Sequence, residues 1–172
     1  MSMLQVKLRR EWGAGKDPIK LAGMPWPVFP RTSLMQVLGT LIDEVIKIDK
    51  AKGGIFCDPV PKDEFPEYYE VIKQPMDYGE SSKALNLSIL CVHDMSYTAL
   101  FAGTGTMKLK LENGEYRSAQ AMQKDFSLVN ANCLQFNAQN SDIVREAQRQ
   151  TLMRPKLLKD AALKNLLFID DA

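Results

Sequence analysis

Histidine occurs once in this 172-residue chain, at His93, and cysteine three times, at Cys57, Cys91 and Cys133. So sparse and odd a cysteine set argues against a disulfide framework, and the lack of any Cys-x-x-Cys pair argues against zinc. Cys91, His93 and Asp94 stand close together, but the sequence places no further ligand beside them, so no metal or other cofactor is expected. Charge of one sign is missing too. The 22 basic and 21 acidic residues leave a net charge of +1, which gives no argument for direct nucleic-acid or membrane binding. No run of about 18 apolar residues could span a bilayer, and the N-terminus shows no signal-peptide core. An intracellular, reducing compartment is the expectation. Gly15-Lys16 hints at a phosphate loop, but Arg10 stands where its first glycine is needed and Asp17 replaces the Ser/Thr. No nucleophile is paired with a base, so an enzyme is not expected.

What is there is ordinary for a globular domain: 45% hydrophobic and 25% charged residues. The length suits one domain with tails. Over residues 1–32 the density of Gly and Pro (Gly13, Gly15, Pro18, Gly23, Pro25, Pro27, Pro30) predicts a flexible N-terminal arm. Trp12, Trp26 and Phe29 are docking groups within it, yet the expectation is a structureless tail. Lys7-Leu8-Arg9-Arg10 is too short for a nuclear address and reads as solvated.

The domain itself is expected over 33–165, with a tail at 166–172. Ser33 and Gln36 have capping-box spacing, and Leu34, Val37, Leu38, Leu41, Val45 and Ile48 then follow on one helical face. Gly53-Gly54 stops that helix. Residues 55–66, IFCDPVPKDEFP, hold three prolines among apolar Ile55, Phe56, Val60 and Phe65. Such a loop must pack against something or line something. EYYEVIK at 67–73 reads as a short helix with Pro66 at its first turn. Met107, Leu109 and Leu111 predict another, closed by Asn113-Gly114. Ser118 caps a longer helix with a buried stripe at Met122, Phe126, Val129, Cys133 and Phe136. Asp142 is expected to cap the last helix, through Ile143, Ala147 and Thr151, which Pro155 should end or kink before a further piece at Lys156–Leu167. Four main helices with short connections predict an all-α helical bundle.

Several segments together resemble the bromodomain: F-x-x-P-V at 56–60, P-E-Y-Y-E-V-I-K at 66–73, P-M-D-Y-G at 75–79, T-M-K-L-K-L-E-N-G-E-Y at 106–116, D-F-S-L-V at 125–129 and N-C-L-Q-F-N at 132–137. The Val60-to-Pro66 spacing is similar to that of acetyltransferase-associated members. The resemblance implies a left-handed four-helix bundle whose long first loop forms an acetyl-lysine pocket with the break before the last helix. Carried over residue by residue, Asn137 donates its amide to the acetyl carbonyl and Tyr68 reaches it through a water. Phe56, Pro59 and Val60 wall the acetyl methyl, Ile143 stands at the rim, and Cys133 and Phe136 complete the lining. Phe136 replaces the family's usual tyrosine, Ile55 with Gly54 replaces a bulkier shelf, and Asn130 stands where a large apolar residue is usual. Without the resemblance, Asn137 reads as a helix C-cap, Tyr68 as a core aromatic and Cys133 as a small buried hydrophobe.

One stretch departs from that pattern. The 26 residues Glu80–Gly105 interrupt PMDYG and TMKLKL, which family members join directly. Gly79-Glu80-Ser81 can be encoded with a GTGAGT splice donor and Thr104-Gly105 with an acceptor AG; cutting there removes 26 codons in frame. Glu80–Gly105 is therefore expected to be a translated intron, with a genuine insertion as the alternative. Either way the bundle is expected to fold, weakened, with the added segment poorly ordered.

The resemblance implies a reader of acetylated lysine on histone tails or other nuclear proteins, nuclear and part of a larger chromatin complex, with no nucleic acid or membrane as direct partner. The alternative is a four-helix protein-interaction domain whose pocket is impaired by the insertion and the departures named above.

Overall fold

The computed structural model describes residues 23–79 and 105–166. Most of the expected arm (1–22), the stretch 80–104 with Cys91, His93 and Asp94, and the tail from 167 lie outside the described residues. Within them the chain forms five helices: α1 (Arg31–Lys50), α2 (Pro66–Val71), α3 (Met107–Glu112), α4 (Ala119–Phe136) and α5 (Asp142–Leu166). The bundle is all-α apart from a two-residue parallel pairing of β1 (Met76–Asp77) with β2 (Gly105–Thr106).

The helices bury the stripes that their periodicity predicts. On α1, Val37, Leu38 and Leu41 are fully buried, and on α4 Met122 and Phe126 are too. Burial of this kind, about 25 cal/mol per Å² of apolar surface, is what holds the bundle. Their ends differ from expectation in two places. The Pro30 carbonyl accepts the amides of Ser33 (3.1 Å) and Leu34 (2.9 Å), so α1 starts before Ser33. Ser33 is buried and its Oγ donates to the Pro30 carbonyl (3.2 Å) instead of capping the helix. At α5, Ser141 rather than Asp142 supplies the cap: its Oγ accepts from the Val144 amide at 3.3 Å, while Asp142 pairs with Arg145. Ser118 does cap α4, accepting from the Ala121 amide at 3.2 Å.

Two further expectations are corrected. Pro155 neither ends the last helix nor separates a second piece; α5 runs unbroken to Leu166. A proline inside a helix loses one backbone bond and costs about 3 kcal/mol. Here Leu158, Ala161 and Ala162, all buried, hold the second half of α5 in the bundle, and Arg154 is anchored just before the proline. The described part of the arm also belongs to the bundle. Trp26 and Phe29 are buried, and the Trp26 ring meets Phe126 at 5.9 Å. Gln123 on α4 donates to the Met24 carbonyl (3.0 Å) and accepts from the Trp26 amide (3.4 Å), and Gln120 donates to the Trp26 carbonyl. Two buried aromatics, with hydrogen bonds to the Met24 and Trp26 backbone, outweigh the local tendency of Pro-rich chain to leave the surface.

The flanks of the interrupting stretch are joined by a backbone hydrogen bond. The Lys108 amide donates to the Tyr78 carbonyl at 3.1 Å. With the 26 residues Glu80–Gly105 left out, Lys108 would follow Tyr78 by four positions, the spacing of an α-helical bond. The join at the start of α3 thus keeps a helical hydrogen bond across an interruption. A chain joining Gly79 directly to Thr106 should keep the same helix content. It should gain about 2 kcal/mol in urea unfolding, since lengthening a connection by roughly three doublings costs that much closure entropy. A lower midpoint for the shortened chain would show that residues 80–105 support the bundle.

Candidate functional site

The proline-rich loop between α1 and α2 is held by hydrogen bonds to α1, to α2 and to the turn after β1. Glycines at φ 103° (Gly53) and 69° (Gly54) turn the chain out of α1, a conformation that costs other residues strain. Asp49, fully buried at the end of α1, accepts the Phe56 amide through Oδ2 at 2.8 Å. The Phe56 and Cys57 carbonyls accept the amides of Tyr78 (2.8 Å) and Gly79 (3.0 Å). Tyr69 on α2 donates its hydroxyl to the Val60 carbonyl at 2.6 Å. The far side of Asp49 continues into the core: Gln150 Nε2 donates to Oδ1 (2.7 Å), Tyr78 donates to Gln150 Oε1 (2.8 Å), and Arg154 donates to the Tyr78 hydroxyl (3.0 Å). A chain of buried bonds therefore runs from α5 through α1 to the loop.

The loop so held encloses a cavity of about 370 Å³ against α2, β1, α4 and the start of α5. All eight residues singled out from the sequence line it: Phe56, Pro59 and Val60 from the loop, Tyr68 from α2, Cys133 and Phe136 from α4, Asn137 just after α4 and Ile143 on α5. The Phe136 ring packs edge-on against Tyr68 at 5.1 Å, so phenylalanine at this position closes the wall with an aromatic contact. Asn137 terminates α4 in an extended conformation, and its Nδ2 donates to the Cys133 carbonyl at 3.0 Å. The amide carries a second hydrogen, and Asn137 is the one side-chain amide of the lining among the described residues.

The lining is mostly apolar, with Ile55 and Phe65 partly exposed at 38% and 41%. Two of its titratable groups, Tyr68 and Cys133, are held neutral. Burial, with Tyr69 and Asp77 nearby, pushes the Tyr68 phenol up to about 12. Burial pushes the Cys133 thiol up, partly offset by Asn137; a thiol of that kind is inert rather than nucleophilic. Among the described residues no group of three or more His, Cys, Asp or Glu could hold a metal ion, and no helix is long and apolar enough to cross a membrane. A mostly apolar slot with one amide donor, and with carboxyls only at Asp58 and Asp77, suits a neutral, elongated group that carries a carbonyl. An ammonium placed there would lose its water at several kcal/mol, a cost that a buried carboxylate offsets only in part.

Sequence reasoning missed Asp58, Met76, Asp77 and Val129 as lining residues. Met76 and Asp77 stand in the quoted Pro-Met-Asp motif, so a signal was present. Val129 was placed on the buried stripe of α4, where core and cavity cannot be told apart by period alone.

Comparison with known proteins agrees with this geometry. The bromodomain family model matches residues 38–86 and 105–149, leaving out 87–104 within the interrupting stretch. Bromodomain and PHD finger-containing protein 3 of Mus musculus is 27% identical over 155 residues, 90% of this chain and 10% of that protein. Histone acetyltransferase GCN5 of Debaryomyces hansenii is 29% identical over 107 residues, 62% of this chain and 18% of that protein, consistent with the acetyltransferase-like loop spacing. The chain thus spans a tenth to a fifth of these relatives. Among solved structures, the bromodomain of Leishmania donovani complexed with bromosporine superposes with a TM-score of 0.55 at 21% identity, covering 78% of this chain and 91% of that one. The second bromodomain of Candida albicans Bdf1 gives 0.54 at 24%, covering 75% and 99%. Since the family match runs through the loop, α2, α4 and the first turns of α5, the elements that build the cavity, the chain belongs to the bromodomain family, whose modules read acetylated lysine and are not themselves catalytic.

Proposed function

We propose that this chain binds acetylated lysine on histone tails or other nuclear proteins, as the reader module of a larger chromatin complex in the nucleus. The observation that carries this reading is the convergence of Asn137, Tyr68, Phe56, Pro59, Val60, Phe136, Ile143 and Cys133 on one cavity. In the bound state the second hydrogen of Asn137 Nδ2 turns from the Cys133 Sγ, 3.8 Å away, to the acetyl carbonyl, and Tyr68 reaches the same oxygen through a water. Phe56, Pro59 and Val60 take the methyl, and the lysine stem passes Ile143. Recognition is largely rejection of the charged form. The contact is small, so the dissociation constant should fall between roughly micromolar and millimolar, about −8 to −4 kcal/mol.

Calorimetric titration with a multiply acetylated histone H4 tail tests this. The acetylated peptide should bind and the unmodified one should give no measurable heat. Asn137→Ala should lose about 10- to 100-fold in affinity, the cost of leaving a buried carbonyl unpaired, with unchanged helix content by circular dichroism. Equal binding of both peptides, or an unaffected variant, would instead favour the interaction domain with an impaired pocket.

A further inference from the structure

Asp77 has no part in that scheme, yet it lines the same cavity. It is 4% exposed, and its Oδ1 has no hydrogen-bond partner. A buried, unpaired carboxylate oxygen is expensive and calls for an explanation. The titratable groups around it are acidic or neutral. Asp58 stands on the loop side, Tyr68 and Tyr69 on α2, both pushed up by burial, and the raised Cys133 thiol on α4. None of the ion pairs among the described residues includes Asp77. Burial and the repulsion of Asp58, partly offset by the Gly79 amide, push its carboxyl up to about 7.

We propose that Asp77 is a specificity-determining residue of this cavity, and that an acylated lysine enters together with one proton, taken from solvent onto the Asp77 carboxyl. The inference rests on the acetyl-lysine reading above. The acyl group displaces water from the lining that Asp77 shares and brings no positive charge. Loss of water disfavours the anion further, so the occupied cavity holds the proton more tightly than the empty one. Binding that raises a carboxyl's pKa tightens as pH falls through the neutral range. An unmodified lysine does the opposite: its ammonium is drawn to the Asp77 anion and expels the proton. Lower pH therefore strengthens the acylated ligand and weakens the charged one, and the Asp77 carboxyl widens the gap between them.

The test is calorimetry with a histidine-free acetyl-lysine peptide at pH 6, 7 and 8, each in two buffers of different ionisation heat. A His93→Ala background removes the one imidazole of the chain. Affinity at pH 6 should exceed that at pH 8 several-fold, with less than tenfold change per pH unit because one proton is involved. The paired buffers should report fractional proton uptake at pH 7. Asp77→Asn, which keeps the shape, should flatten both signals. Binding with no pH dependence and no uptake overturns the proposal, as does a slope that persists in Asp77→Asn. If that variant fails to fold, the paired-buffer result on the unaltered Asp77 decides, zero uptake overturning the proposal. Absence of binding at every pH overturns the acetyl-lysine reading itself, and this inference with it.

Discussion

Asp49→Ala should lose about 3–5 kcal/mol of stability and weaken ligand binding as well. Asp49 is fully buried, and both carboxylate oxygens are used: Oδ2 by the Phe56 amide at 2.8 Å and Oδ1 by Gln150 Nε2 at 2.7 Å. Alanine leaves the buried Phe56 amide without a partner and takes from Gln150 Nε2 one of its two acceptors, Glu146 keeping the other at 3.0 Å, at about 1–3 kcal/mol for each bond lost. The damage spreads because Gln150 also accepts from Tyr78 (2.8 Å), and Tyr78 accepts from Arg154 (3.0 Å). Arg154 is itself buried at 4% exposure, so a network that loses its carboxylate leaves a guanidinium short of compensation. Asp49→Asn retains an acceptor and the shape, and should lose less than half as much. Urea unfolding followed by circular dichroism measures both. A loss below about 1 kcal/mol for the alanine variant would mean that water replaces the carboxylate freely. The binding effect has a separate cause. Phe56 is a wall of the cavity, and its amide is pinned by Asp49, so the wall loosens when that bond goes.

How much of this could be read beforehand depends on the range over which each feature is decided. The faces of α1 and α4 were legible because a period of 3.6 is written locally in Leu34, Val37, Leu38 and Leu41 and in Met122, Phe126 and Val129. The start of α1 was not, because the Pro30 carbonyl can serve as first acceptor without a side-chain cap, and Ser33 offered a cap that burial withdrew. Trp26 looked like part of an arm because its partners, Gln120, Gln123 and Phe126, lie about a hundred positions away. The same distance hid the bond between Asp49 and Gln150. Pro155 signalled a break that the packing of Leu158 and Ala162 overrides. The eight cavity residues were legible through family resemblance, not through spacing: alone, Asn137 is a C-cap, and its bond to the Cys133 carbonyl shows that it does that too. Asp77 lay in a quoted motif, but no motif says whether a carboxylate oxygen finds a partner.

Phe126→Ala should cost about 3–5 kcal/mol, the usual range for truncating a buried aromatic, and the loss should be felt at both ends of the chain. Phe126 is fully buried on α4, and three groups from different elements converge on its ring. Trp26, ahead of α1, meets it at 5.9 Å, Tyr78, after β1, at 5.6 Å, and the Arg154 guanidinium of α5 lies 4.7 Å from the ring centre. A desolvated cation over an aromatic face contributes about 2 kcal/mol. Alanine removes that attraction and opens a space that Trp26 alone cannot fill. The Phe126 carbonyl still accepts from Arg154 at 3.1 Å, so the guanidinium is left with its hydrogen bonds but without its ring. Phe126→Leu keeps most of the volume without the aromatic face, so the difference between the two variants separates packing from the cation contact. Urea unfolding gives the energies, and tryptophan emission in the native baseline, in a Trp12→Phe background that leaves one tryptophan, reports whether Trp26 has left its site. A shift to longer wavelength in the alanine variant, with the leucine variant in between, is the expected order. If both variants lose under about 1 kcal/mol, Phe126 is not the point where the N-terminal segment, the β1 turn and α5 are joined. The segment at 24–30 would then have to be held by its glutamine bonds alone.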